Sequence, residues 1–266
     1  MTTPASSSGQ SHRPAGRTIV VTGAASGIGA AIARQLAGPQ TRLVLHTRGA
    51  SDASQARLAE VRHACESLGA QCAVWFGDLT EPSAAAHLID AAHDAFGPVD
   101  QLVSNAGFAT RQSLADVDDD AFARTLAAMP GAFAALLRST LPDLQGSPQA
   151  GVVAVSSFVA HRFAPNQPGF PATAAAKAAI EALAKSAAAE YARSGVTINC
   201  VAPGYTRKDG GHSAIEPAAW QRAADATPTG RLCEPDDIAA LAVFLLGPHA
   251  RQITGQVIHV DGGLTL

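Results

Sequence analysis

From Arg17 onward, short runs of β-branched and other apolar residues alternate with longer stretches rich in Ala and Leu. The short runs are Thr18–Thr22, Arg42–His46, Gln71–Phe76, Asp100–Ser104, Gly151–Ser156, Thr197–Val201 and Val257–Val260. Several are almost wholly apolar, as strands covered on both faces of a parallel sheet must be. Between the second and third runs, Leu58, Val61, Cys65 and Leu68 recur at helical spacing, and Gly69 supplies a stop. Pro171–Ser194 has no Gly or Pro after its first residue and is dominated by helix-favouring Ala, Leu, Lys and Glu, which predicts the longest helix of the chain. Strand and helix alternating in this way imply βαβ units, so the pattern predicts one α/β domain over residues 17–266 with seven parallel strands flanked by helices.

Composition narrows the picture. A chain of 266 residues, 47% of them hydrophobic, has enough apolar material for one large core. A formal net charge of -3 leaves no cationic excess to neutralise a phosphate backbone, which argues against a nucleic-acid partner and for small molecules. Residues 1–16, rich in Ser, Pro, Thr and Gly without an apolar run, read as a disordered tail rather than a signal peptide. No uninterrupted apolar stretch reaches membrane-span length, and no metal-ligand spacing stands out. Cys65, Cys72, Cys200 and Cys233 make no CxxC pair and read as reduced apolar fillers, which suggests the cytoplasm.

The first strand runs directly into Gly23-Ala24-Ala25-Ser26-Gly27-Ile28-Gly29 and then an apolar helical run. Glycines there permit a tight turn and close backbone approach, and the start of the following helix offers free N–H groups to a pyrophosphate. An ordinary Gly-rich turn is the alternative, and the strand-turn-helix context outweighs it. The TGxxxGxG spacing resembles that of the short-chain dehydrogenase/reductase family, and other family-like segments follow in the family's order. They are Asp78-Leu79 after the third strand, Ser104-Asn105-Ala106-Gly107 at the end of the fourth, and Ser156-Ser157 closing the fifth. Lys177 on the long helix, Pro203-Gly204 after the sixth strand, and Gly255-Gln256 with Asp261-Gly262-Gly263 complete the set. The resemblance covers essentially all of Arg17–Leu266, is nearest in kind to 3-oxoacyl-carrier-protein reductases, and implies a Rossmann-like, doubly wound fold.

The same resemblance implies a nicotinamide dinucleotide held by Gly23, Ser26, Gly27, Ile28, Gly29, Asp78, Leu79, Asn105, Ala106, Gly107, Lys177, Pro203 and Gly204. At the end of the second strand an acidic residue would select a free ribose 2′-hydroxyl; this chain has Thr47 followed by Arg48, which suits the 2′-phosphate of NADP(H) over NAD(H). A solvated surface Arg is the other reading. Thr206 lies near a family carboxamide contact, although the closest matching offset falls on Lys208.

Hydride transfer to a carbonyl develops alkoxide charge, so the site needs a hydrogen-bond donor and a proton source at that oxygen. The family uses Ser, Tyr and Lys, with an Asn holding a water. Ser157 and Lys177 match, whereas the Tyr position holds Thr173 and the Asn position holds Ala128. A threonine hydroxyl is a far weaker acid than a phenol of pKa about 10. Ser157 also stands 16 residues before Thr173, so the loop His161–Phe170 is expected to carry a small insertion.

Three compensations are open. His161 is a competent acid or a surface histidine, Tyr205 a substitute phenol or packing, and Pro130 either frees the Leu126 carbonyl for a water or breaks the helix. Lys177 likewise reads as a cofactor contact or as a solvated side chain on an Ala-rich helix. The expected activity is reduction of a carbonyl or oxidation of an alcohol, and the competing reading is a non-catalytic protein that senses NADP(H). By resemblance, a lid would span about Gly210–Thr229, and the Ala-rich helices would build a homodimer or homotetramer.

Overall fold

The computed structural model describes residues 16–165, 168–207 and 217–266. Seven strands form one parallel sheet: β1 (Arg17–Thr22), β2 (Thr41–Thr47), β3 (Gln71–Phe76), β4 (Gln101–Ser104), β5 (Gly151–Val155), β6 (Thr197–Pro203) and β7 (Val257–Val260). Their spatial order is β3-β2-β1-β4-β5-β6-β7, so the winding reverses between β1 and β4 and opens a crevice at the carboxyl ends of those two strands. This is the doubly wound α/β sheet that the sequence pattern and the resemblance lead one to expect.

Eight α-helices accompany the strands among the described residues: α1 (Gly27–Leu36), α2 (Asp52–Ser67), α3 (Ala84–Phe96), α4 (Asp119–Leu126), α5 (Ala132–Gln145), α6 (Pro171–Tyr191), α7 (Pro217–Asp225) and α8 (Pro235–Leu245). Side-chain alternation in the strands divides the core in two. Ile19, Val21, Leu43, Leu45, Val153 and Val201 pack against α1, α2 and α8 on one face. Val20, Val44, Leu102, Val152, Ile198 and Cys200 pack against α3, α5 and α6 on the other.

Local signals start several helices. Ser51 Oγ accepts the Ser54 N–H at 3.3 Å, and Asp118 Oδ1 accepts the Ala121 N–H at 2.6 Å, each satisfying a donor that the first helical turn leaves open. Pro171 opens α6 at a position where the missing N–H costs nothing. This helix is the longest, but its α-helical part stops at Tyr191; Ala192–Ser194 tighten into a 3₁₀ turn before Gly195, whose φ of 78° ends the element.

Six strand ends differ from the pattern by one or two residues: β1 starts at Arg17, β2 spans Thr41–Thr47, β4 starts at Gln101, β5 ends at Val155 and β6 ends at Pro203. β4 begins at Gln101, although the Asp100 N–H still bonds the Thr18 carbonyl at 2.8 Å, while its buried carboxylate accepts the Thr18 N–H at 2.8 Å and the Ser147 hydroxyl at 2.6 Å. β6 runs on to Pro203 because β7 pairs beside it, Ala202 with His259 and Pro203 with Val260. Residues 1–15 of the expected tail lie outside the described residues. The cysteine reading holds for Cys65, Cys200 and Cys233, which are buried and unbridged; Cys72 is half-buried, and its thiol hydrogen-bonds Cys65 across the α2–β3 connection.

Candidate active site

The glycine turn joins β1 to α1 at the crevice. Gly23 and Gly27 have φ values of 66° and 54°, which favour glycine, and a Cβ on Gly29 would sit 2.2 Å from the Gly23 carbonyl oxygen. The turn is held from β4. Asn105 Nδ2 donates to the Thr22 and Gly23 carbonyls at 3.0 and 3.1 Å, while the Asn105 and Ala106 N–H groups both reach Thr22 Oγ1, at 3.0 and 3.1 Å. The backbone therefore forms a concave cradle that an added side chain would fill, and it ends on the N-terminus of α1, where the Ser26 hydroxyl makes no capping bond. Such a surface fits a pyrophosphate.

The neighbouring rim is formed by the ends of β2 and β3. Thr47 is buried, with its hydroxyl 3.2 Å from Ser54 Oγ, and Arg48 is exposed beside it. Hydrogen bonds from the Thr80 N–H and hydroxyl, at 3.0 and 2.8 Å, hold the Asp78 carboxyl below the usual carboxylate range, helped by Arg48. Leu79 packs at the edge of the α3–α5–α6 core. Two polar atoms on this rim have no partner among the described residues: Arg57 Nε on α2, one turn beyond Ser54, and Nδ1 of the buried His46, whose Nε2 lies 3.0 Å from the Gly77 carbonyl. Burial lowers the His46 pKa, so the neutral ring is favoured. Sequence reasoning missed Arg57 because an arginine on an amphipathic helix carries no local mark of which neighbour it faces.

The catalytic end lies across the crevice, where β5 runs out and α6 begins. Ser157 starts a 3₁₀ turn, Phe158–Ala160, and its Oγ accepts the Val159 N–H at 3.3 Å. Thr173, Lys177 and Glu181 recur every four residues on the face of α6 that is turned to the sheet, and all three are buried. Lys177 Nζ donates to the Val155 carbonyl at 2.6 Å and lies near Gly107, where a Cβ would stand 3.4 Å from it. Burial lowers the Lys177 pKa to about 8, against the pull of Cys200 and Glu181. The solvated reading of Lys177 is thereby corrected: the Ala-rich face lies on the sheet and takes the lysine with it.

The Thr173 hydroxyl accepts the Thr110 N–H at 3.3 Å, because the loop after β4 folds over it. That loop is clamped to the segment before α6, with the Gln112 N–H on the Gly169 carbonyl at 3.0 Å and Arg111 Nε on the Pro168 carbonyl at 3.1 Å. A roof of backbone thus covers the place of the expected phenol. Ala128 stands in a π-helical turn, Ala127–Gly131, in which the Ala132 N–H bonds back to Ala127. The helix therefore does not break at Pro130; it absorbs the missing N–H by widening one turn, and Met129 points inward to Gly107.

The other expected residues are also accounted for. His161 Nε2 lies 2.8 Å from Glu181 Oε1, so its second ring nitrogen is the one left for other partners. The Tyr205 ring packs on Phe158 at 4.5 Å between centroids. Pro203 and Gly204 end β6 against Asp261, with no room for a side chain at Gly204, and Thr206 Oγ1 turns back to the Gly204 carbonyl at 3.0 Å. Lys208 and residues 210–216 of the expected lid lie outside the described residues, whereas its second half contains α7 and a turn at Thr227–Gly230. Sequence reasoning missed Glu181, although a lone carboxylate one turn past Lys177 on an otherwise alanine face was a readable signal. Among the described residues no cluster of three or more His, Cys, Asp or Glu side chains could hold a metal ion, and no helix is long and apolar enough to cross a membrane.

Comparison with known proteins agrees with this geometry. A family model described as enoyl-(acyl carrier protein) reductase matches residues 23–265. A cis-4-hydroxycyclohexanecarboxylate dehydrogenase of Sinomonas cyclohexanicum is 36% identical over 94% of this chain and 96% of its own length. An NADPH-dependent aldehyde reductase-like chloroplastic protein of Arabidopsis thaliana is 34% identical over 94% of each chain. A crystal structure of a short-chain dehydrogenase from Burkholderia cenocepacia in complex with NADP superposes with a TM-score of 0.83 at 30% identity, covering 96% of this chain and all of that one.

Proposed function

The chain belongs to the short-chain dehydrogenase/reductase family of NAD(P)(H)-dependent oxidoreductases, with NADP(H) as its cofactor, and from that premise we propose how its own residues work. NADP(H), when bound, supplies or accepts the hydride. The turn Gly23–Gly29 and Asn105–Gly107 would hold the pyrophosphate and the adjoining ribose, Asp78 and Leu79 the adenine, and Pro203, Gly204 and Thr206 the nicotinamide side. Thr47 and Arg48 would meet the 2′-phosphate, Arg48 as a charge-assisted donor, and Arg57 is the nearby guanidinium with an unmet Nε. Lys177, buried and poised near neutrality, would bind the nicotinamide ribose and lend positive charge beside the reacting oxygen.

Ser157 would donate its hydroxyl to that oxygen. Without a phenol at position 173, the proton passes to or from solvent through smaller groups: the Thr173 hydroxyl, whose proton is not used in accepting from Thr110, or the free Nδ1 of His161. Tyr205 is held by Phe158 and is the weaker candidate. The substrate class is a small carbonyl compound or its alcohol, in a cytoplasmic homodimer or homotetramer. The observation that carries the reading is the cradle, whose glycines and Asn105 leave a side-chain-free concavity at a helix N-terminus next to a buried lysine.

The test is fluorescence titration with NADPH and NADH, followed by turnover of NADPH against aldehydes and ketones and of NADP⁺ against cis-4-hydroxycyclohexanecarboxylate. Tight NADPH binding with turnover is the expected result. Tight binding without turnover would instead favour an NADP(H) sensor, which the absent Tyr and Asn would permit.

A further inference from the structure

Glu181 costs the fold something that Ala would not. Its side chain is 8% exposed on a helix otherwise rich in alanine, and a buried carboxylate is retained at a penalty of several kcal/mol unless donors surround it. The donors are placed in a particular way. Glu181 Oε1 accepts the Ser156 hydroxyl and, at 2.8 Å, His161 Nε2–H. One of these residues precedes Ser157 directly, and the other follows it by four. Between them the chain turns tightly, with the Ala160 N–H on the Ser157 carbonyl at 3.2 Å and the His161 N–H on the Phe158 carbonyl at 2.9 Å. A single carboxylate oxygen therefore pins both ends of the turn that carries the serine hydroxyl.

The pin is itself braced. The His161 ring meets His259 of β7 edge-on, with centroids 4.5 Å apart. His259 Nδ1 lies 3.1 Å from Thr265 Oγ1, which donates to Asp261 Oδ2 at 2.6 Å. Next to Asp261, Gly262 packs against Thr227 and Thr229, just beyond α7. The titratable groups facing this assembly are Lys177 of α6, Cys200 of β6, and His259 and Asp261 at β7 and its end.

We propose that Glu181 is a positioning residue for Ser157: by accepting from Ser156 and His161 it brackets the turn and holds the serine hydroxyl toward the reacting oxygen. This rests on the oxidoreductase reading of Ser157 given above. The bracket matters more here than beside a phenol, because no second strong donor shares the oxygen, and a displacement of about 1 Å in such a site costs on the order of a hundredfold in rate.

Glu181→Gln leaves a neutral amide oxygen for both donors and loses the charge that strengthens the two hydrogen bonds. It is expected to lower kcat roughly 10- to 100-fold per NADPH-binding site, with NADPH affinity within about twofold of wild type. Rates are taken near pH 6.5, below the Lys177 limb, because removing the Glu181 charge lowers that lysine further. Ser156→Thr keeps a hydroxyl donor to Glu181 and is expected to retain about half or more of kcat, whereas Ser156→Ala falls with Glu181→Gln. The Ser156 pair leaves the buried carboxylate in place and gives the answer even where Glu181→Gln does not fold. A merely structural carboxylate would lower the melting temperature of all these variants and leave kcat per binding site unchanged, which would overturn the proposal. Wild type that binds NADPH and turns over nothing would be a separate failure: the oxidoreductase reading of Ser157 falls, and the bracket loses its catalytic sense with it.

Discussion

The two sides of the crevice are built by different means. On the cofactor side the shape is made of backbone: Gly23, Gly27 and Gly29 have no side chain to change, and Asn105 and Thr22 lock the turn through main-chain groups. On the catalytic side the proposed chemistry hangs on side chains projected from α6 and the Ser157 turn, and there the resemblance to the family sets Thr173 and Ala128 at the positions expected for Tyr and Asn. At Gly29 the backbone cradle tolerates no addition, because an extra carbon collides with the Gly23 carbonyl. A projected side chain can be exchanged for a smaller one while the fold stays whole. The contrast teaches that binding and chemistry are under separate structural constraints in one crevice.

The contrast can be broken most severely at Gly29. Gly29→Ala places a Cβ 2.2 Å from the Gly23 carbonyl and is expected to abolish measurable NADPH binding, at a stability cost of about 1–3 kcal/mol. Retained affinity by titration would mean that the cradle yields. On the other side, Thr173→Tyr restores a phenol on the face shared with Lys177 and is expected to raise carbonyl reduction roughly 10- to 100-fold, with the Thr110 loop displaced. An unchanged rate in single-turnover measurements would show that the roof over position 173 excludes the substrate.

A smaller effect is expected at the rim. Arg48→Asp removes one charge-assisted donor and should shift the NADPH-to-NADH affinity ratio by about 1.5–3 kcal/mol, some 10- to 100-fold, without touching kcat on saturating cofactor. Smallest is the pH response of the catalytic side. With Lys177 titrating at about 8, kcat/KM should fall up to tenfold per unit above that point as the cation is lost. Stability should move the other way. A lysine whose folded pKa lies below its unfolded value binds fewer protons when folded, so its contribution to stability grows from about pH 8 to about pH 10.4. Activity that holds steady to pH 10 would remove Lys177 from the protonated role.

The same division governs what could be read from the chain. All seven strands and the turn Gly23–Gly29 were legible, because β-branched runs and glycine spacing are local facts. Strand ends were not: the Asp100 carboxylate at the start of β4 is tied to Ser147, and Pro203 joined a strand because β7 lay beside it, neither of which is marked nearby in sequence. Ser157, Thr173 and Lys177 were found by resemblance to a family, not by periodicity. His161 was visible as a residue type, but its attachment to Glu181 was not, since they are 20 positions apart and meet only when α6 lies on the sheet. Arg57 and His259 gave no signal at all for the same reason.

The widened turn at Pro130 has a consequence for insertions and deletions. A π turn holds one residue more than the α-helical path needs, so removing a single residue from Ala127–Gly131 should let α4 and α5 merge into one regular helix. Because the surplus is taken up within that one turn, the flanking segments would keep their present phase and Thr125 would stay buried. That extra residue is slack held in a single turn between two stretches of helix, and the inward direction of Met129 depends on it.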